Sequence, residues 1–282
     1  METTNRIEEI LTARGLNWTV RTEEMQTASG IVIPDKIAMV REDNNTILGV
    51  NGDGYNPYQN HELLELMFKI SNQSGLQVHS GGSFGGGQKV FIQLKGNDLK
   101  IGTDTVKGFL TTFNSFDGTT ALGFGNSNIT VSCLNTFWAG YATMKNKVRH
   151  TANMRPKIEE LLRQLELAVI AENEIFANIK RISEVKMDAK VKQLVIDKLF
   201  DLSKEEKLAD ISTAKQNKMA RFYLDLNGEL QTKGETLWGL FSGVTKYTTH
   251  SMKNGKDNSE GKIFGAIGNK ERQIWETVTA MV

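Results

Sequence analysis

Gly81-Gly82-Ser83-Phe84-Gly85-Gly86-Gly87-Gln88-Lys89 is the stretch whose residue types come nearest to a ligand site. Five glycines in seven residues, with a lysine two places later, pose the question of a phosphate cradle, and Gly82 and Gly87 have the separation that a P-loop requires. Gln88 stands in the lysine slot, Lys89 comes one residue late, and no Ser or Thr comes after it to hold magnesium. A cradle also needs a helix opening after the glycines, because the exposed N–H groups and positive dipole end of that helix bind the phosphate. The chain instead continues as Val90-Phe91-Ile92-Gln93-Leu94, a β-branched and aromatic run, and Leu76-Gln77-Val78-His79 alternates apolar with polar on the other side. The spacing therefore predicts a hairpin or bulge whose glycines take positive φ. A bend without side chains also lets an extended ligand approach the backbone, with Phe84 and Lys89 beside it.

Catalytic constellations are absent from the sequence. The four histidines, His61, His79, His150 and His250, have no pairwise spacing suited to a shared metal ion. There is no G-x-S-x-G, no H-E-x-x-H and no obvious pair of catalytic carboxylates. Asp53 and Asp117 stand in Gly-Asp-Gly-Tyr and Phe-Asp-Gly, where Asp serves a turn. Cys133, the only cysteine, excludes an intrachain disulfide and a cysteine zinc cluster. No catalytic residue, metal or cofactor is assigned. An enzyme reading would need a pocket for a small ligand under the glycine hairpin near His79 and Cys133.

Rings and cations beside polar turns are more suggestive. Tyr55 and Tyr58 flank Pro57, Phe84 lies in the glycine stretch, and Phe113 and Phe116 bracket a further turn. Such rings stack on bases of single-stranded nucleic acid while Lys and Arg track the phosphates, and they also pack into their own domain. His150 ends Lys145-Asn-Lys147-Val-Arg149-His150, a basic cluster that either meets phosphate or borders a solvated helix end. Net charge is +1, yet there are 10 basic and 14 acidic residues up to Thr130 and 24 basic and 19 acidic beyond it. The second half is the better place to look for phosphate contacts.

These residues need elements to position them. A chain of 282 residues with 39% hydrophobic content can build a sizeable core in one domain or two. The pattern predicts a division near residue 155. Residues 6–14 read as a helix, and Trp18–Arg21, Gly30–Ile33, Lys36–Arg41 and Thr46–Val50 as strands, the last entering the turn Asn51-Gly-Asp-Gly54. Asn60 reads as the cap of a helix to about Asn72, and strands are expected around 107–114, 120–124 and 128–133. Residues 1–155 are thus expected to form an antiparallel sheet with packed helices, and 156–282 a mainly helical region, an α+β chain overall. In the second region Pro156 opens an apolar repeat reaching Ser183, Asp188 caps a helix with Val191, Leu194, Val195 and Leu199, and Ser203-Lys-Glu-Glu206 is a capping box. Helices at 235–249 and 271–280 close the chain, either side of a Lys-, Gly- and Asn-rich loop at 253–262. No apolar run approaches the ~18 residues of a membrane span, and no signal-peptide core opens the chain, so no membrane is expected and a bacterial host cytoplasm fits.

Several ordered stretches carry a resemblance. Leu48-Gly-Val50, Tyr55-Asn-Pro-Tyr-Gln-Asn60, Gly81–Gly87, Ser115-Phe-Asp-Gly-Thr-Thr120, Val131-Ser-Cys-Leu-Asn-Thr136, Arg149-His-Thr151 and Thr236–His250 are similar to landmarks of the phage/plasmid-like protein family, itself a domain of unknown function. Asn128 and Ser242-Gly243 depart from that family's pattern. The size and sheet-then-helices layout also resemble single-strand annealing proteins of the Red-beta, RecT and Erf kind. That second likeness implies a β-β-β-α core, helices that build homo-oligomeric rings or filaments, and a groove that holds single-stranded DNA for annealing without ATP. The residues expected to line the groove are Phe84, Lys89, Lys145, Lys147 and Arg149. The competing expectation is a structural or host-interaction phage protein that does not touch nucleic acid.

Overall fold

The computed structural model describes residues 2–102, 104–130, 136–139, 147–163, 165–203, 211–253 and 259–282. The architecture is α+β, with two antiparallel sheets in the N-terminal half and mostly helices in the C-terminal half. Contacts divide the chain into two units, but not by a single cut near 155. One unit comprises Met1–Gly96, Phe109–Asn126 and Thr143–Val169, and the other Asn97–Gly108, Ser127–Ala142 and Ile170–Val282.

The first unit opens with helix α1 (Glu2–Ala13) and a three-stranded meander, β1 (Val20–Gln26), β2 (Val32–Arg41) and β3 (Ile47–Gly52). Its turns use residues that tolerate positive φ, Gly30 at 81° and Asn45 at 58°. Two strands expected separately, 30–33 and 36–41, form the one strand β2. Its pairing with β1 shifts between Glu24 and Gln26, and Pro34 and Asp35 sit in that irregular stretch, where Pro need not donate to the ladder. Trp18 precedes β1 instead of belonging to it, and is buried in the core with its indole N–H donating to the Gly15 carbonyl.

Helix α2 (Asn60–Ser74) comes after the meander and buries Leu63, Leu64, Leu66, Met67 and Ile70 on one side. Its cap is Gln59, one residue earlier than the sequence suggests. The Gln59 N–H donates to the Glu62 carboxylate at 2.9 Å, while the Gln59 side chain pairs with both backbone groups of Val20. Asn60 is buried because its amide donates to the Leu16 and Trp18 carbonyls, tying α2 to the approach of β1. Gly75, in left-handed backbone, ends the helix.

A five-stranded sheet comes next, in the order β4 (Gln77–Phe84), β5 (Lys89–Ile101), β6 (Asp104–Ser115), β7 (Gly123–Thr130) and β8 (Thr136–Ala139). Within the first unit, Val90, Ile92 and Leu94 of β5 join the α2 residues, Met39, Leu48 and Trp18 in one apolar cluster. Helix α3 (Met154–Arg163) adds Met154 and Ile158.

Besides the segments Asn97–Gly108 and Ser127–Ala142, the second unit holds α4 (Leu165–Glu184) from Ile170 onward, α5 (Ala189–Phe200), α6 (Thr213–Lys233), α7 (Leu237–Lys246), α8 (Ser259–Phe264) and α9 (Ala266–Thr279). Asp188 caps α5 as expected, its carboxylate accepting from the Val191 N–H at 2.7 Å. The capping box at 203–206 falls largely outside the described residues. Helix α6, which the sequence pattern does not announce, starts at the Ser212 cap. Phe222 packs edge to face with both Phe200 and Tyr247, and Phe241 meets Trp275, which gives this unit its own core. After α7 the backbone widens into a π turn over Tyr247–Ser251. That turn presents Thr248 and Thr249 to an interior ion pair: Lys262 and Glu271, each 1% exposed, meet at 2.8 Å. Lys262 also donates to the Thr249 hydroxyl at 2.6 Å, and the Thr248 hydroxyl donates to the Glu271 carboxylate. Burial pushes the Lys262 ammonium down and the Glu271 carboxyl up from their ordinary pKa values. Among the described residues no helix is long and apolar enough to cross a membrane.

Candidate nucleic-acid interface

The glycine stretch is a hairpin between β4 and β5, as its flanking sequence requires. Gly85, Gly86 and Gly87 make a single 3₁₀ turn with φ of 58°, 68° and 115°. The turn leads into a strand and not a helix, so the geometry of a mononucleotide cradle is missing at this bend. Nor is the whole turn bare. Gly87 is buried under Trp18, with room for no more than a hydrogen: a Cβ there would lie 3.1 Å from the indole ring. Arg41 stacks over the same indole at 4.3 Å and donates to the Gly86 carbonyl at 2.9 Å. Gly85 and Gly86 keep an exposed edge.

Strand alternation then decides which side chains flank the bend. On β5, Lys89, Phe91, Gln93 and Lys95 share one face, opposite the core-directed Val90, Ile92 and Leu94. Phe84 lies across from Lys89 in the register, and its ring stacks with Phe91 at 5.3 Å between centroids. Both rings are half-buried. Further along, the Lys95 ammonium sits 5.5 Å from the centre of the Phe109 ring, and the exposed His79 ring packs 5.1 Å from the same phenyl. Phe84, Phe91, Lys95 and His79 thus form a part-exposed band running back from the hairpin tip, the last two packed against the buried Phe109 ring.

Lys89 does not serve that band as a groove charge, contrary to the sequence expectation. It is 9% exposed, and its ammonium contacts Asp117 at 2.9 Å. Asp117 is also more than a turn former. Burial pushes its carboxyl up, but the hydrogen bonds from the Thr119 hydroxyl, the Thr119 N–H and Lys89 outweigh burial and hold it below the usual carboxylate value.

Next to this pair, segments far apart in sequence share one polar interior. The Tyr55 hydroxyl donates to the Ser115 carbonyl at 2.6 Å, and its ring stacks on His150 at 4.9 Å. Asn114 donates to the Tyr58 carbonyl, so its amide oxygen is the atom that accepts from His150 Nε2 at 2.6 Å. The imidazole is therefore the Nε2–H tautomer. Burial pushes its pKa down to about 4, against the opposing pull of Asp117, and it is neutral at pH 7. Tyr55 and Tyr58, read from sequence as possible stacking rings, are committed here, and burial raises both phenols. Phe113 and Phe116 are buried as well. Of the rings named from sequence, Phe84 is the one that keeps a partly open face next to the bend.

Val148 makes an antiparallel bridge to Leu122, which leaves Lys147 half-buried and Arg149 exposed on either side. The Arg149 side chain has no partner among the described residues. Lys145 and Cys133 lie outside the described residues. Phe91, Lys95 and Phe109 were missed in the sequence; the alternation of β5 read outward from Lys89 finds the first two, while Phe109 stands on β6 and only strand pairing brings it beside Lys95.

A family model for a domain of unknown function, DUF932, matches residues 47–275. The chain belongs to DUF932. No curated protein and no solved structure matches it. The matched span takes in α2, the glycine hairpin, the Lys89–Asp117 pair and the Tyr55–His150 stack, so the DUF932 region contains the whole candidate interface except Arg41 and Trp18, which brace it from β2 and the approach to β1.

Proposed function

We propose that this DUF932 protein binds single-stranded DNA along the β4–β5 face and promotes annealing of complementary strands without ATP. The observation that carries the reading is the ring pair Phe84–Phe91, stacked at 5.3 Å beside the exposed edge of a glycine turn and continued by Lys95 and His79 around Phe109. Rings of this kind stack on bases whatever their identity, at about 1–3 kcal/mol per base, while cations track the phosphates. Bases held on a face rather than in a closed slot keep their pairing edges available, so a complementary strand zips in by its own pairing energy. The groove set is revised accordingly to Phe84, Phe91, Lys95 and Arg149, with Lys89 as internal support. The element order β1-β2-β3-α2 is the one an annealing protein of the Red-beta, RecT or Erf kind implies, and the helical second unit offers surfaces for a ring or filament. The setting this reading implies is phage or plasmid recombination in a bacterial cytoplasm.

Fluorescence anisotropy with a labelled oligonucleotide tests it. Binding should weaken steeply between low and physiological salt, and Phe84→Ala with Phe91→Ala should weaken it at every salt concentration. Electron microscopy should show rings or filaments that change when the oligonucleotide is added. Absence of binding at low salt sinks the proposal and leaves the interaction-protein reading.

A further inference from the structure

The second unit contains a cleft of about 870 Å³ that the DNA reading does not use. It is bounded by the β5–β6 turn, the C-terminal end of α4, and helices α6 and α7. Four lysines line it, Lys100, Lys180, Lys233 and Lys246, against three carboxylates, Asp104, Glu184 and Glu229.

The carboxylates are not equally available. Glu229 is 2% exposed and holds two ammonium groups, Lys233 at 2.6 Å and Lys246 at 3.2 Å. Lys233 in turn reaches Asp104 at 3.4 Å. Two of the three acids are thus neutralised inside the wall, which disfavours a metal cation as the occupant. An ion cluster at this depth is a poor source of stability, since desolvation offsets most of its attraction. What it does is fix where Lys233 and Lys246 sit. Gly228 contributes by absence: a Cβ there would lie 3.2 Å from the Lys246 Nζ, so the missing side chain lets that lysine cross α6 to Glu229.

Lys100 and Lys180 have no ion-pair or hydrogen-bond partner for their ammonium groups among the described residues. Glu184, one turn beyond Lys180 on α4, is the remaining acid at the rim. Ile101 and Trp238 supply apolar wall between the charges. Size, two uncommitted cations, the partly exposed Lys246 positioned by Glu229 and an apolar side describe a site for a small molecule bearing phosphate.

We propose that this cleft binds a nucleoside phosphate, with its phosphates against Lys100, Lys180 and Lys246, as a ligand separate from the DNA. No hydrolysis is implied, and the inference stands whether or not the chain binds DNA.

Calorimetric titration of the full chain with ADP and with inorganic triphosphate tests it. Both should bind saturably, one per chain. The double variant K100A/K180A should weaken both at least tenfold with an unchanged Tm, because both side chains are exposed, and should alter oligonucleotide affinity less than twofold. Lys246→Met should weaken ADP as well, while Glu229 keeps Lys233 as its partner. The proposal is overturned by three results: no saturable binding at low salt, equal affinity in the double variant, or a parallel loss of oligonucleotide affinity, which would assign the cleft to the DNA path.

Discussion

Lys89→Met separates the two roles this lysine can have. Its ammonium and the Asp117 carboxylate meet at 2.9 Å, and each side chain is 11% exposed. An exposed pair contributes about 0–1 kcal/mol, whereas breaking a fully buried pair costs about 3–5 kcal/mol because a charge is stranded. Asp117 sits between these limits, since Thr119 continues to donate to its other oxygen through the hydroxyl at 2.6 Å and the N–H at 2.9 Å. The expected loss is about 2 kcal/mol, and at roughly 2–4 °C per kcal/mol for units of this size Tm falls by about 4–8 °C. The Asp117 pKa is lowered in the folded state, so its contribution is fully present above the unfolded carboxylate value and is lost as pH falls through the folded one. The gap between wild type and variant should therefore be constant near neutrality and close under acid. Urea unfolding and anisotropy on the same samples decide the matter. If Tm is unchanged and oligonucleotide affinity drops with a shallower salt slope, Lys89 contacts phosphate and the support role assigned to it is wrong.

Other consequences are measurable. Gly86→Val should cost about 1–2 kcal/mol from backbone strain alone, because Gly86 has φ 68° and nothing within 4 Å of a Cβ; Gly87→Ala should cost more, adding a clash with Trp18, and equal stabilities would show that the turn relaxes. His150, neutral and buried with its pKa pushed down to about 4, binds fewer protons folded than unfolded between about pH 6.5 and 4, so stability should fall by about 3 kcal/mol across that window, and His150→Gln should flatten the curve. Lys262→Met should destabilise by about 3–5 kcal/mol by stranding Glu271, and adding Glu271→Leu should restore much of the loss; a double variant no better than the single would mean the ion pair itself is required.

The glycine hairpin, the Asp188 cap and the α+β layout were legible because each is a local signal: φ preference, a side-chain acceptor three residues ahead of an N–H, and apolar periodicity. The two units were not, since β5 and β6 each pass from one to the other, and nothing in a strand's alternation marks where its packing partners change. Gln59 was passed over as a cap because its own amide is used on Val20, 39 residues away, while Glu62 does the capping. Tyr55, Tyr58 and His150 looked like surface chemistry because they stand beside Pro, Gly and basic residues. Their partners, Ser115, Asn114 and the Tyr58 carbonyl, lie in segments that only the fold brings together.

Charge was the least legible property, and the reason is physical. A count of lysines weighs Lys89, Lys233 and Lys262 the same as Lys100, Lys180 and Arg149, yet the first three are held by Asp117, Glu229 and Glu271 inside the protein. A cation already held this way gives a phosphate little, because binding must first separate it from a carboxylate in a poorly solvated place. The excess of basic residues after Thr130 therefore overstates what can meet a polyanion. Among the described residues, Arg149 beside the Val148 bridge of the first unit and Lys100 with Lys180 at the cleft of the second have no such carboxylate partner. If both proposals hold, the salt slope of oligonucleotide binding should respond to Arg149→Ala by about one counterion and not at all to K100A/K180A.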